Sequence, residues 1–312
     1  MSTIVVLAPG LLTTVQDLGR EGFGPAGVSP SGAADPLALR LGNRLVGNPE
    51  GAPGLEMTLL GGEFRFPEGA VFALTGSDFG ASLDGASVEP YTSCEAQPAQ
   101  TLRFGPTRSG ARSYLCVLGG IDVPLFLDSA STHLLSGVGG YQGRALRKGD
   151  VLNIGAATGS YRRRKLASEA IAELAPRKVL RVTPGPQSES FSPSALQTFY
   201  SSAYRVAEES NRMGIRLQGS PTPSKSAGEM ITEGVSLGAV QIPSGGTPII
   251  LFVEQQTTGG YPKIANVISV DLPSLGQLRP RDEIRFEQVS PESAQSLLRK
   301  REQLLSSKDL LP

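Results

Sequence analysis

The chain has 312 residues, with 29 Lys and Arg against 29 Asp and Glu, 39% hydrophobic residues and 19% charged ones. A zero formal balance excludes an affinity built on neutralising many phosphates, and no run reaches the roughly 18 apolar residues of a membrane helix, so neither nucleic acid nor membrane is an expected partner. With 38 Gly and 24 Pro the chain is rich in turns, which fits many short strands arranged in two domains.

In chain order, strand-like runs fall at Ile4–Leu7, Glu63–Phe66, Val71–Thr75, Ser113–Leu118 and Asp150–Ile154. They resume at Val179–Val182, Leu237–Ile242, Pro248–Val253, Asn266–Val270 and Glu283–Phe286, most of them bounded by Gly, Pro, Asp or Ser. Three helices are predicted. Asp35 caps the first, with Pro36 at its opening position, Leu37, Leu41 and Leu45 on one face and Gly47 closing it. Ser192-Pro193 opens the second, with Ala195, Leu196, Phe199 and Tyr200 along one side, and Pro291–Ser307 forms the third, with Ala294, Leu297, Leu298, Leu304 and Leu305 at helical spacing. Core packing accounts for all three stripes.

Leu146–Ile154 matches Leu278–Phe286, each a charged turn before an alternating strand, so two related β-barrel-like units are expected. The boundaries follow: a first barrel at 1–157, a basic and polar linker at 158–178 containing Arg162, Arg163 and Arg164, a second barrel at 179–290, and a C-terminal helix at 291–312.

Two pattern matches fail in context. Gly22-Phe23-Gly24-Pro25-Ala26-Gly27 fits GxGxxG, but Val28-Ser29-Pro30-Ser31-Gly32 cannot open the helix that a dinucleotide site requires. Gly234-Val235-Ser236-Leu237-Gly238 fits GxSxG, but a strand follows it, and the chain's one histidine, His133, precedes it. A single imidazole also removes most Ser-His, Cys-His and zinc chemistry, and no metal is expected. No GxxxxGK[ST] loop exists. Cys94 and Cys116 belong to no CxxC pair and are read as free thiols, while the start Met1-Ser2-Thr3 has no basic leader, so a cytoplasmic location is expected.

The densest polar segment is Glu254-Gln255-Gln256-Thr257-Thr258-Gly259-Gly260-Tyr261-Pro262-Lys263, a strand end opening into a glycine turn. Its backbone amides could approach an anion or carbonyl closely, with Lys263 neutralising a carboxylate; an ordinary polar hairpin is the plain alternative. Thr13 to Arg20 reads as a glycine-punctuated loop in which Gln16, Asp17 and Arg20 either meet a ligand carboxylate or stiffen the loop through an internal Asp17–Arg20 pair. In Asn211-Arg212-Met213-Gly214-Ile215-Arg216 the two guanidiniums lie four apart, which in a strand puts Arg212 and Arg216 on one face, as an anion subsite, a partner-binding edge or a solvated basic edge. Asp78, in the turn after Val71–Leu74, is a weaker candidate beside simple loop capping.

These same segments resemble a known family: allophanate hydrolase subunit 2, or the biotin-dependent carboxyltransferase family, which includes the C subunit of bacterial 5-oxoprolinase. The likeness runs through Pro9–Arg20, Ser31–Pro36, Gly47–Glu50, Ser210–Gly214 and Gln256–Ala265. It implies a mainly β fold of two cyclophilin-like β-barrel domains with a few short helices. It also implies work on a small-molecule amide or lactam with a sister subunit, of the type of allophanate hydrolase subunit 1 or the B subunit of 5-oxoprolinase. It favours a subunit of an ATP-dependent 5-oxoprolinase, a hydrolase opening the lactam of 5-oxoproline to glutamate, with ATP used by the complex and not through a P-loop here. Two alternatives stay open: a carboxyltransferase acting on a urea-like nitrogen with biotin carried on another polypeptide, since no Met-Lys dipeptide is present, and a regulatory subunit that sequesters its sister. Under the favoured reading, Gln16, Asp17 and Arg20 would face the Gln255–Lys263 turn across a crevice between the barrels. Lys263 or Arg216 would hold a carboxylate or phosphorylated intermediate, amides near Gly259 and Gly260 would stabilise a developing oxyanion, and Asp17 would be a base or an orienter of Arg20.

Overall fold

Asp35 and Ser192 start their helices as the sequence predicts, each side chain accepting from the backbone amide three residues on, Ala38 at 2.9 Å and Ala195 at 3.1 Å. The helices span Pro36–Val46 and Pro193–Ser201, and a third runs Pro291–Ser306. The chain is described here from a computed structural model covering residues 2–157, 161–225, 230–307 and 310–311. It is mainly β and divides into two units. The first comprises 1–20, 31–173 and 307–312; the second comprises 21–30 and 174–306.

In the first unit, Thr3–Ala8 lies between Val151–Ile154 and Glu63–Arg65 in a seven-stranded sheet, and Leu12–Gln16, Gly54–Thr58, Arg112–Val117, Ala70–Gly76 and Ser93–Ala96 form a five-stranded one. One apolar cluster, with Ile4, Val6 and Phe64 from the first sheet and Val15, Leu55, Phe72 and Leu115 from the second, fills the space they share. Helix Pro36–Val46 packs on the five-stranded sheet at Gly42, where an added Cβ would fall 2.6 Å from the Cys116 sulfur. Burial pushes the Cys116 thiol up to about 12, and both cysteines are free.

In the second unit, Val179–Pro184, Lys263–Val267, Ala239–Gln241, Ile249–Leu251, Gly214–Gln218, Tyr204–Val206 and Glu283–Gln288 close into a barrel. The ring is sealed by parallel pairing of Val179–Pro184 with Glu283–Gln288. Phe199 from helix Pro193–Ser201 stacks on Phe286 with centroids 4.5 Å apart.

The sequence repeat has a matching geometry. In the first unit Val6 N donates to Asp150 O at 2.9 Å and Gly149 N to Val6 O at 2.8 Å, while in the second Val206 N donates to Asp282 O at 2.9 Å and Arg281 N to Val206 O at 2.8 Å. Each aspartate also caps its turn by accepting from the amide three residues earlier, Arg147 at 2.7 Å and Arg279 at 2.9 Å. Gly149 and Arg281 both take positive φ, 92° and 72°.

Four expectations are corrected. Leu12–Gln16 is a strand and not part of a loop; its five residues pair with Gly54–Thr58, and polar Thr13, Thr14 and Gln16 are all buried, which erased the alternation. The expected strand Asn266–Val270 begins three residues earlier, at Lys263. Arg212 and Arg216 do not share a face. Asn211 Oδ1 accepts from Met213 N at 2.8 Å, so the strand starts at Gly214, leaving Arg212 buried before it and Arg216 exposed within it. Lastly, residues 161–173 are not a free linker: Ser93 N donates to Arg164 O at 2.8 Å, Lys165 bridges Thr92, and Ser168–Glu173 is helical; Thr158, Gly159 and Ser160 lie outside the described residues. Among the described residues no helix is long and apolar enough to cross a membrane.

Candidate functional site

The two expected site segments belong to different units, Gln16, Asp17 and Arg20 to the first and Gln255 to Lys263 to the second. Strand Leu12–Gln16 delivers its last side chain into a wholly buried position. Gln16 Nε2 donates to Thr14 Oγ1 at 3.0 Å and Thr132 O at 3.1 Å, while its Oε1 has no donor among the described residues. Asp17 accepts from Gly19 N at 2.7 Å, Ser129 Oγ at 2.7 Å, Ala130 N at 2.6 Å and Ser131 Oγ at 2.5 Å. Three of these bonds fall on Oδ1 and one on Oδ2, so the carboxylate ties the 129–131 segment to Gly19, a geometry that fits the orienting role of the two open to Asp17. What it orients is the 129–131 segment, and that segment holds Arg20. The Arg20 guanidinium donates to Ser131 O and, at 3.3 Å, to Phe126 O, and lies 5.5 Å from the centroid of the Phe126 ring.

Gly139 completes this corner, because a Cβ there would fall 2.2 Å from Ser131 O and 3.0 Å from Arg20 Nη2. Ser129, Ser131 and the glycine loop 137–143 were not anticipated. The signal for the loop was visible in Gly137, Gly139, Gly140 and Gly143, all at positive φ; for the serines there was none. His133, buried nearby in sequence, accepts from Ser136 N through Nδ1 at 3.1 Å, a structural role. Asp78 caps Gly80 N at 2.7 Å and pairs with exposed Arg108 at 2.9 Å, which is loop capping.

In the second unit Lys263 stands at the first position of its strand, in register with Gln241 on Ala239–Gln241. It is 3% exposed. Its Nζ is paired with the Glu233 carboxylate, which also accepts from Gln187 Nε2 at 2.7 Å. Gln187 Oε1 in turn accepts from Lys263 N at 3.2 Å. The Lys263 ammonium first, and Gln187 second, hold the Glu233 carboxyl below its ordinary value. Glu254 and Arg212 form a pair at 2.5 Å that is buried on both sides. That pair fixes the entry to the polar segment, since Glu254 N also donates to Arg212 O at 2.8 Å.

Along the segment, the Gln255 carboxamide donates to Ser236 O at 3.1 Å and accepts from Leu237 N at 2.9 Å. Thr257 O accepts from Val235 N at 3.1 Å, and Thr258–Gly259 pairs antiparallel with Glu233–Gly234 in a two-stranded sheet. Gln256 and Tyr261 are exposed, and Gly260 O accepts from Met230 N at 3.1 Å. The turn is therefore hydrogen-bonded on one side and presents Gln256, Thr258 and Tyr261 on the other. Glu233, Gln187 and the pairing of Glu254 with Arg212 were not foreseen, because the partners lie far apart in sequence, and Gln241 was not singled out.

A family model described as "Carboxyltransferase domain, subdomain A and B" matches residues 26–288. The chain belongs to that family. Within this carboxyltransferase family it is similar to the C subunit of 5-oxoprolinase from Escherichia coli, 40% identical over 93% of this chain and 92% of that protein, and to the Haemophilus influenzae protein of the same description, 39% identical with the same coverage. Urea amidolyase of Saccharomyces cerevisiae is 35% identical over 99% of this chain but only 18% of its own length. Among solved structures, the urea amidolyase of K. lactis superposes with a TM-score of 0.91 at 31% identity, covering 99% of this chain and 21% of that one. The carboxyltransferase fold of this chain is thus also carried inside far longer proteins.

Proposed function

We propose that the chain is a subunit of an ATP-dependent 5-oxoprolinase, opening the lactam of 5-oxoproline to glutamate together with the B-type sister subunit of such an enzyme. The observation that carries this reading is co-extension: the similarity spans 92% of two proteins described as the C subunit of 5-oxoprolinase, against 18% of a urea amidolyase. The net reaction adds one water across the C–N bond and consumes a second as ATP becomes ADP and phosphate. No residue of this chain is assigned to the nucleotide.

On this reading the second unit holds the substrate. Lys263, steadied by Glu233 and Gln187, supplies the cation for a carboxylate or a phosphorylated intermediate, and the Gly259-Gly260 turn lets backbone approach a carbonyl whose charge develops. Arg212 holds Glu254 and positions the turn, and exposed Arg216 is left for an outer anion contact. Asp17 and Arg20 organise the glycine loop of the first unit.

The test is ATP-dependent glutamate formation by the chain reconstituted with its sister subunits. Lys263→Met should lower kcat/KM by about 100-fold or more, as removal of one preorganised charge from a transition-state site does; activity within a few-fold of wild type removes Lys263 from the scheme. A carboxyltransferase reading is favoured by the TM-score of 0.91 to a urea amidolyase. It predicts bicarbonate-dependent, avidin-sensitive carboxylation of a urea-like substrate in place of lactam opening.

A further inference from the structure

Gln241 closes strand Ala239–Gln241 at a register shift between Val240 and Gln241, the kind of irregularity that re-aims a side chain out of a ladder. The residue is 2% exposed, and its Nε2 has no acceptor among the described residues. Leaving a buried amide donor unmet is destabilising, so such a group calls for a reason. Its direction supplies one. A Cβ built on Gly259 would lie 2.5 Å from Gln241 Nε2 and 3.0 Å from Gln256 Nε2, so two carboxamides converge on one point of the glycine turn. Gly259 is not among the residues at positive φ, so conformation does not demand glycine there; the closeness of the two amides does. Lys263, the strand partner of Gln241, brings the buried ammonium to the same edge.

We infer that Gln241 is a substrate-binding residue whose carboxamide recognises the N–C=O edge of a cyclic amide seated against Gly259. A side-chain carboxamide offers a donor and an acceptor side by side. A five-membered lactam is locked cis, so its C=O and N–H also lie side by side, and the two edges close a ring of two hydrogen bonds. An open-chain secondary amide is trans and presents only one of the two groups in that direction. Gln241 therefore selects lactam over open-chain amide, with Nε2 donating to the carbonyl oxygen on which charge grows as the ring opens.

This inference rests on the lactam-opening reading, and its test separates the two. The reconstituted complex is assayed with 5-oxoproline and with its N-methyl derivative, which keeps the carbonyl and lacks the N–H, for wild type, Gln241→Met and Gln241→Glu. Binding of both compounds is measured by calorimetry on the same preparations. Wild type should prefer 5-oxoproline by about 10- to 100-fold in kcat/KM, and Gln241→Met should lose about that factor and with it the discrimination. Its Tm should not fall, since Nε2 makes no bond to lose. Gln241→Glu keeps the acceptor and the shape, should fall between them, and carries the comparison if Gln241→Met proves unstable. Wild-type turnover with Gln241 variants equally fast and equally discriminating overturns the inference and leaves the oxoprolinase reading standing. A wild-type complex that neither binds nor opens 5-oxoproline overturns both.

Discussion

Gly149 and Arg281 do the same job with different side chains. Both sit at positive φ in the same capped turn, and nothing lies within 4 Å of a Cβ built on Gly149, so any side chain there costs conformational energy alone. A left-handed residue other than glycine costs about 1–2 kcal/mol, offset in part by the freedom glycine adds to the unfolded chain. Arg281→Gly should therefore stabilise the second unit by about 1 kcal/mol, and Gly149→Ala should destabilise the first by a similar amount, read as opposite shifts in calorimetric Tm. The pair Arg281–Glu208 is too exposed to reverse that sign. The aspartates that follow add a pH dependence. Arg144 holds the Asp150 carboxyl below its ordinary value; at Asp282 burial pushes upward, but Lys178 and the Arg279 amide more than offset it. A lowered folded value means that the stabilisation is whole above the ordinary aspartate range and is lost as pH falls through it. Asp150→Asn should thus flatten the decline of Tm between about pH 5 and 2 and leave its shape above pH 6 unchanged. The sequence announced this turn through its repeated Arg and Asp, and nothing in it announced which side chains would bond to Asp17, whose partners Ser129 and Ser131 lie more than a hundred residues away.

Helix Pro36–Val46 and its sheet meet through a glycine, and the segment before strand Gly214–Gln218 is tied down through an ion pair. A methyl group at Gly42 would fall 2.6 Å from the Cys116 sulfur and 2.9 Å from Thr75 Oγ1, so Gly42→Ala should cost about 1–3 kcal/mol by overpacking. Cys116→Ala in the same chain should recover part of that, a coupling that independent sites would not show. At the barrel, Arg212→Met leaves Glu254 buried without its cation and should cost about 3–5 kcal/mol, with Arg212→Met/Glu254→Leu losing markedly less. Elements were legible where a cap or an apolar alternation marked them: the Asp35 and Ser192 helices and most long strands needed no correction beyond a residue or two. They were hidden where polar residues are buried on both faces, as at Thr13, Thr14 and Gln16.

Over the whole molecule, duplication was readable from nine-residue matches, but the allocation of chain to the two units was not. Residues 21–30 belong with the later half and residues 307–312 with the earlier one. Composition places no boundary at those points, because the assignment depends on contacts such as Ala167 N donating to Leu310 O at 3.1 Å, with Leu310 fully buried. Leu310→Ala should accordingly cost the first unit about 2–4 kcal/mol, although in sequence it follows the whole of the second. The polypeptide passes from one unit to the other at 20/21, 30/31, 173/174 and 306/307. During synthesis, then, the earlier half cannot be finished when its own strands emerge: Leu310 leaves the ribosome only after every strand of the later barrel. Separately expressed halves cut at the interdomain stretch would each carry a fragment of the other, and neither would be a complete folding unit.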